Sequence, residues 1–310
     1  MEQFAHINNL RICFETFGTN TDPAVLLIMG NSAQGIMWPE AFCKKLAKNS
    51  LFVIRYDQRD TGKSTCVNFD DNPYNLFDLA SDALGLLDEL DIKNAHIVGL
   101  SMGASIAQLL ALHHAGRVIS ITSMMSSPDL SIKNDAMAGK ETPNSILPPP
   151  DKDWLKKVLK LNDVSPKTKQ DKIRLIVENW KLANGDKVDF DFEEWQQLIE
   201  AALDRQETNP SAKDLKIANH GNHSKAQIAT DEPNLEVLKL VNVPTLVIHG
   251  KEDPIFPPAH AEMLGKTIPN ARLVVIDDMG HTLNPTFFDE IIHQITLHIG
   301  VNADVSIKTS

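Results

Sequence analysis

Residues 95–114 read AHIVGLSMGASIAQLLALHH and hold the strongest constraint on how this chain folds. An apolar run ends at Leu100 and a helical pattern begins at Met102. Ser101 stands between them, with Gly99 and Gly103 two residues to either side. A strand that turns so abruptly into a helix brings two backbones together. Small residues two before and two after the turn permit that approach. The same turn exposes the serine hydroxyl above the sheet and aims the first amides of the helix at it.

The rest of the chain repeats the alternation. Leu10–Thr16 alternates like a half-buried strand. Val25–Met29, Leu51–Tyr56, His96–Val98 and Val118–Met125 are apolar runs of strand length, while Trp38–Lys48 and Asn75–Leu90 have helical spacing. The order predicts an α/β protein with a mainly parallel sheet and helices on both faces. Near Ser126 the alternation stops, and from Asp129 to Leu240 the chain reads as helices only. Trp154, Trp180 and Trp195 fall in this stretch. It predicts a core made of residues 1–128 and 241–310, with a helical cap inserted at 129–240 and some of these tryptophans lining a pocket. Strands resume at Pro244–His249 and Arg272–Ile276. Phe287–Ile299 closes the core as a helix, and the tail from Val301 is expected to fray.

A chain of 310 residues can bury a core of this size. A formal net charge of -11 disfavours nucleic acid and anionic membrane as partners. No apolar run reaches the length of a membrane span. Met1–Ile12 lacks a basic-then-apolar pattern, so no export signal is expected. Cys13, Cys43 and Cys66 are an odd set without metal-ligand spacing, which fits buried thiols in a reducing cytoplasm. No metal or cofactor is expected, and no oligomeric state is implied.

Ser101 is thus a candidate nucleophile. A serine hydroxyl is weak at neutral pH unless a histidine takes its proton and a carboxylate orients that histidine. His281, in DDMGHTLNP, lies in the loop before the closing helix, at the same sheet edge as Ser101. His113 and His114 lie too far along the helix, and His249 ends a strand as a packing residue. His260, His293 and His298 fall on helical patterns. For the acid, Asp253 follows the Pro244–His249 strand in VIHGKEDPIFPP, and Asp129, after the preceding strand, is its rival. Glu252, Asp277 and Asp278 are less well placed. The loop after VLLIM, Gly30 to Gly35, offers the Asn31 amide, which with the Met102 amide would hold a tetrahedral oxyanion. The segment DQRDTGKS, Asp57–Ser64, lacks the spacing of a phosphate loop. A structural role is expected there, with Arg59 or Asp60 tying loops near the site.

Together these segments resemble the α/β-hydrolase superfamily, and within it the aclacinomycin methylesterase type of serine esterases. The resemblance rests on LLIMGNSAQGIMWPEAFCKKLA, VIRYDQRDTGKST, HIVGLSMGASIAQ, VIHGKEDPIFP and MGHTLNP. It runs from Leu10 to Ile299 and is weak through the cap. It implies the α/β-hydrolase fold with an eight-stranded sheet, Ser101 as nucleophile, Asp253 as acid, His281 as base, and Asn31 with Met102 as oxyanion donors. Met29-Gly30 departs from the His-Gly that many members carry after the third strand, so any role of that imidazole is lost. Asn31 stands where close relatives often have glycine, and its side chain either adds a donor or narrows the pocket.

The resemblance further implies a small-molecule ester as substrate: a methyl or other small-alcohol ester of a bulky acyl group, cleaved through an acyl-enzyme. The same triad serves perhydrolysis (cofactor-free haloperoxidase activity), lactone opening, C–C hydrolysis and proline iminopeptidase activity. An aminopeptidase would need acidic cap residues near the pocket, for which Glu193, Glu194 and Asp204 are the candidates. A ligand-binding receptor of this fold is the alternative from another class, and turnover of simple p-nitrophenyl esters separates it from an enzyme.

Overall fold

A computed structural model of the chain describes residues 1–141, 145–212 and 221–300, so the tail expected to fray lies outside the described residues. The strands are β1 (Gln3–Ile7), β2 (Leu10–Phe17), β3 (Ala24–Ile28), β4 (Phe52–Tyr56), β5 (Ala95–Leu100), β6 (Val118–Met124), β7 (Thr245–Gly250) and β8 (Arg272–Ile276). They form one eight-stranded sheet in the order β1-β2-β4-β3-β5-β6-β7-β8. β2 pairs antiparallel with β1 and β4, and every other pair is parallel. β4 lies to one side of β3 and β5 to the other. The strand order therefore reverses at β3, and sheets of this kind bind ligands at the carboxyl ends of the strands flanking such a switch. β3 and β5 are buried at every position, as central strands covered on both faces must be.

The helices among the described residues are α1 (Glu40–Ala47), α2 (Leu76–Glu89), α3 (Met102–His113), α4 (Ser131–Met137), α5 (Lys152–Asn162), α6 (Lys169–Asn184), α7 (Phe192–Glu207), α8 (Asn222–Ile228), α9 (Leu235–Leu238), α10 (Ala259–Thr267) and α11 (Phe288–Ile299). On one face of the sheet, Leu26 and Ile28 pack with Leu79 of α2, Ile106 of α3 and Leu264 of α10. On the other, Val25 and Leu27 join Phe42 of α1 and Ile291 and Ile295 of α11. α2 starts sharply because Asn75 and Asp78 cap it reciprocally. The Asn75 carbonyl oxygen accepts from Phe77 N, and the Asp78 carboxylate accepts from Asn75 N.

Between β6 and β7 the described residues form helices α4 to α9 and no strand. Ile173 and Val177 of α6, with Ile199 and Leu203 of α7, belong to the same apolar cluster as α1 and α11. The insertion thus shares a core with the sheet. β1 has no counterpart in the sequence analysis. Only Ala5 and Ile7 of this strand are buried, and antiparallel pairing from Gln3↔Phe14 to Ile7↔Leu10 holds it. Among the described residues, no helix is long and apolar enough to cross a membrane.

Candidate active site

Ser101 alone makes the turn from β5 to α3, at φ 56° and ψ -121°. A positive φ is strained for a serine and persists only where its surroundings enforce it. Here they do. A Cβ on Gly99 would overlap the Gly103 carbonyl, and one on Gly103 would overlap the Ile28 carbonyl, so strand and helix touch through these two glycines. Ser101 N donates to Met124 O at 2.9 Å and ties the turn to β6. The Met102 amide opens α3 and has no acceptor within the helix. The Asn31 amide, in the loop after β3, likewise has no hydrogen-bond acceptor among the described residues.

His281 follows β8 in the loop before α11, and Asp253 follows β7. The structure brings them together: His281 Nδ1 lies 2.7 Å from Asp253 Oδ2. The other carboxylate oxygen accepts from Ile255 N at 2.8 Å and Phe256 N at 2.9 Å. Burial alone pushes the Asp253 carboxyl up. The charge and hydrogen bond of His281, the charge of His249 and the Phe256 amide outweigh it and hold the group below the usual carboxylate range. An ionised Asp253 can only accept, so His281 Nδ1 carries the proton and Nε2 is left as an acceptor. His249 is buried beside the pair and donates from Nε2 to Phe256 O at 2.7 Å. Burial pushes its imidazole down, against the opposing pull of the Asp253 charge and the Phe256 carbonyl.

Ser101 and His281 line one cavity of about 590 Å³, together with Asn31, Lys133, Trp154 and Trp180. No hydrogen bond joins Ser101 to His281 among the described residues; in unliganded enzymes such contacts are often long and tighten when substrate docks. Trp195 is not on the wall. It stacks behind Trp180 with ring centroids 4.9 Å apart. Asp129 is turned elsewhere: it accepts from Ser131 N at 2.8 Å and faces a separate cavity with Asp135, Asp231 and Glu232. Glu193 and Glu194 are exposed on the first turn of α7, and Asp204 pairs with Lys169. No carboxylate lines the Ser101 cavity among the described residues, so the cluster an aminopeptidase requires is missing from that wall. Burial pushes the thiols of Cys13, Cys43 and Cys66 up to about 12, far from nucleophilic thiolates.

The DQRDTGKS segment acts as a tie. Asp57 accepts from Gly35 N at 2.8 Å, from Lys63 N at 2.9 Å and from Arg205 Nη2 of α7 at 2.8 Å. Asp60 accepts from Tyr74 Oη at 2.6 Å and Asn222 Nδ2 at 3.0 Å, while Arg59 pairs with the buried Asp82.

The sequence profile of the alpha/beta hydrolase fold family matches residues 23–287. The chain belongs to the α/β-hydrolase family. This α/β-hydrolase is 33% identical over 293 residues to rhodomycin D methylesterase DauP of Streptomyces sp. strain C5, covering 92% of the chain and 93% of that protein. It is also 33% identical over 294 residues to rhodomycin D methylesterase DnrP of Streptomyces peucetius, with the same coverage. Among solved structures it resembles 2-hydroxy-6-oxo-6-phenylhexa-2,4-dienoate hydrolase from Rhodococcus sp. strain RHA1. The TM-score is 0.72 at 20% identity, over 97% of this chain and 98% of that one.

Three residues of this α/β-hydrolase escaped the sequence analysis although they hold the loops of the candidate site. His223 of α8 accepts from Ser32 N at 3.0 Å and donates to Arg59 O at 2.8 Å, fixing the loop that carries Asn31. Asn184, at the end of α6, accepts from Thr282 Oγ1 at 2.7 Å and Asn284 Nδ2 at 3.0 Å, while His281 N donates to Ala183 O at 2.7 Å. Arg205 is the third. The Asn31 side chain is engaged by α8: its Oδ1 accepts from Gln227 Nε2 at 3.0 Å, and its Nδ2 donates to Ser224 Oγ at 3.4 Å.

Proposed function

We propose that this α/β-hydrolase is a serine esterase that cleaves carboxylic esters through an acyl-enzyme. The observation that carries the proposal is the shared cavity: a serine held at a strained turn and a histidine already bonded to a buried aspartate face the same space. Ser101 attacks the ester carbonyl as His281 Nε2 takes its proton. Asp253 stabilises the imidazolium, and the amides of Asn31 and Met102 receive the oxyanion. His281 then protonates the departing alcohol, and water repeats the sequence on the acyl-enzyme. Residues 129–240 act as a cap, since Lys133, Trp154 and Trp180 come from them. The methylesterase relatives favour a methyl ester, and a cavity of about 590 Å³ suits a bulky acyl group.

A fluorophosphonate tests the nucleophile. Peptide mass mapping is expected to find the label on Ser101, with loss of p-nitrophenyl acetate and methyl ester hydrolysis in proportion to labelling. Hydrolysis that survives complete labelling of Ser101, or a label on another serine that alone abolishes it, would overturn the assignment.

The pH profile supplies a second check. Asp253 is held below its ordinary range, so it is expected to remain the ionised partner of His281. Protonating His281 removes the base, so kcat/KM is expected to fall on acidification with a limiting slope of about one. A slope near two would mean that a second group titrates with it and that Asp253 is not the fixed charge proposed.

A further inference from the structure

The Ser101 cavity holds a cation that the proposed chemistry does not use. Lys133, on α4, donates from Nζ to Gln227 Oε1 at 3.2 Å and forms no ion pair among the described residues. The same cavity wall carries neutral amides and a hydroxyl, those of Asn134, Asn162, Asn179 and Ser224, and no carboxylate among the described residues. An ammonium drawn out of water without a counter-charge is destabilised. Burial accordingly pushes the Lys133 amine down to about 8, and no carboxylate restores it.

The position of this cation is fixed relative to the proposed reaction centre. Gln227, which accepts from Lys133, donates its own amide to Asn31 Oδ1 at 3.0 Å. Asn31 is the residue whose backbone amide is proposed to meet the oxyanion. Trp154 and Trp180 supply broad apolar surface on the same wall. A ligand that complements this cavity has an apolar body, an ester carbonyl near Ser101 and an acidic oxygen at Lys133.

We infer that Lys133 recognises an acidic oxygen (carboxylate, phenolate or enolate) on the acyl part of the ester, so that the cavity selects anionic esters over neutral ones. The inference rests on the esterase proposal for where the ester lies. A charge-assisted bond to a desolvated ammonium is shorter and stronger than one to a neutral amide. It also supplies the missing counter-charge.

The test uses the full chain with Ser101→Ala, which holds an ester without cleaving it. Monomethyl glutarate, adipate and suberate are titrated against the matching dimethyl diesters by calorimetry and by the fluorescence of the cavity tryptophans. At least one monoester is expected to bind ten times or more tighter than its diester. Adding Lys133→Met is expected to bring the ratio close to one, Lys133→Arg to preserve it, and Lys133→Glu to invert it. Lys133→Gln gives the same reading should Lys133→Met fail to fold. Equal affinities in the Ser101→Ala chain, or a preference that survives loss of the lysine charge, would overturn the inference. So would an equal weakening of both ligands, which is the mark of a merely structural lysine. Because binding is read without turnover, these outcomes do not depend on hydrolysis; kcat/KM for the same pairs in the unsubstituted chain tests the esterase proposal separately.

Discussion

Asp253→Asn is expected to lower kcat by about ten-thousand-fold, the size of the loss the same swap causes in a serine protease. The side-chain oxygen that accepts from Ile255 N and Phe256 N remains, so the loop keeps its shape and the protein its fold. What changes is the partner of His281 Nδ1, now 2.7 Å from Oδ2. An amide NH₂ in that place donates, which forces the imidazole proton onto Nε2 and leaves Ser101 without a base. Asp129→Asn is the control. Its one acceptor contact, from Ser131 N, is equally well served by an amide oxygen, and it faces a different cavity. Its kcat is expected to stay within about threefold, as for substitutions that break no buried network. Steady-state kinetics beside melting curves decide the matter. If Asp129→Asn abolished turnover and Asp253→Asn spared it, the acid would be Asp129.

The largest loss of stability is expected from Asp57→Ala. The carboxylate is buried and accepts from two backbone amides as well as from Arg205. Removing it leaves the Gly35 and Lys63 amides without their acceptor and withdraws one carboxylate from a half-buried guanidinium. Breaking a buried ion pair from one side typically costs about 3–5 kcal/mol. Arg205 keeps Glu2 and Gln34 as partners, so the lower end of that range is expected in urea unfolding. The exposed pair of Lys169 with Asp204 provides the contrast, and Lys169→Ala is expected to leave the midpoint nearly unmoved. A loss below about 1 kcal/mol for Asp57→Ala would mean that the tie between α7 and the loop after β3 carries little of the fold.

Those two carboxylates show what a sequence of this kind reveals and what it hides. The central strands and the Ser101 turn are legible because covered parallel strands are short apolar runs and because the turn demands small residues at fixed offsets. β1 is not legible, since Ala5 and Ile7 give too brief an alternation and its pairing with β2 makes the strand. Asp253 and Asp129 both follow strands, and only the direction in which each loop leaves the sheet separates them. The insertion hides most. Helical periodicity shows that Trp180 and Trp195 are partly apolar-facing but not that one lines the cavity and the other backs it. Nor does any local pattern reveal that Lys133, Asn184, Arg205 and His223 meet groups far away in the chain, because those meetings are made by tertiary packing.

The bond set around Asn184 has a consequence for engineering. Asn184 belongs to the insertion, yet it receives Thr282 and Asn284 from the loop that carries His281, and Ala183 receives the His281 amide itself. The insertion is therefore not an interchangeable module that can be cut at its sequence boundaries and replaced to change selectivity. A graft from a relative imports a new neighbour for the histidine loop and moves the proposed base, and catalytic groups must be held within about 0.5 Å of productive geometry. The transferable unit is the insertion together with residues 281–284, and chimeras that exchange the two as one are expected to keep their turnover where insertion-only chimeras lose it.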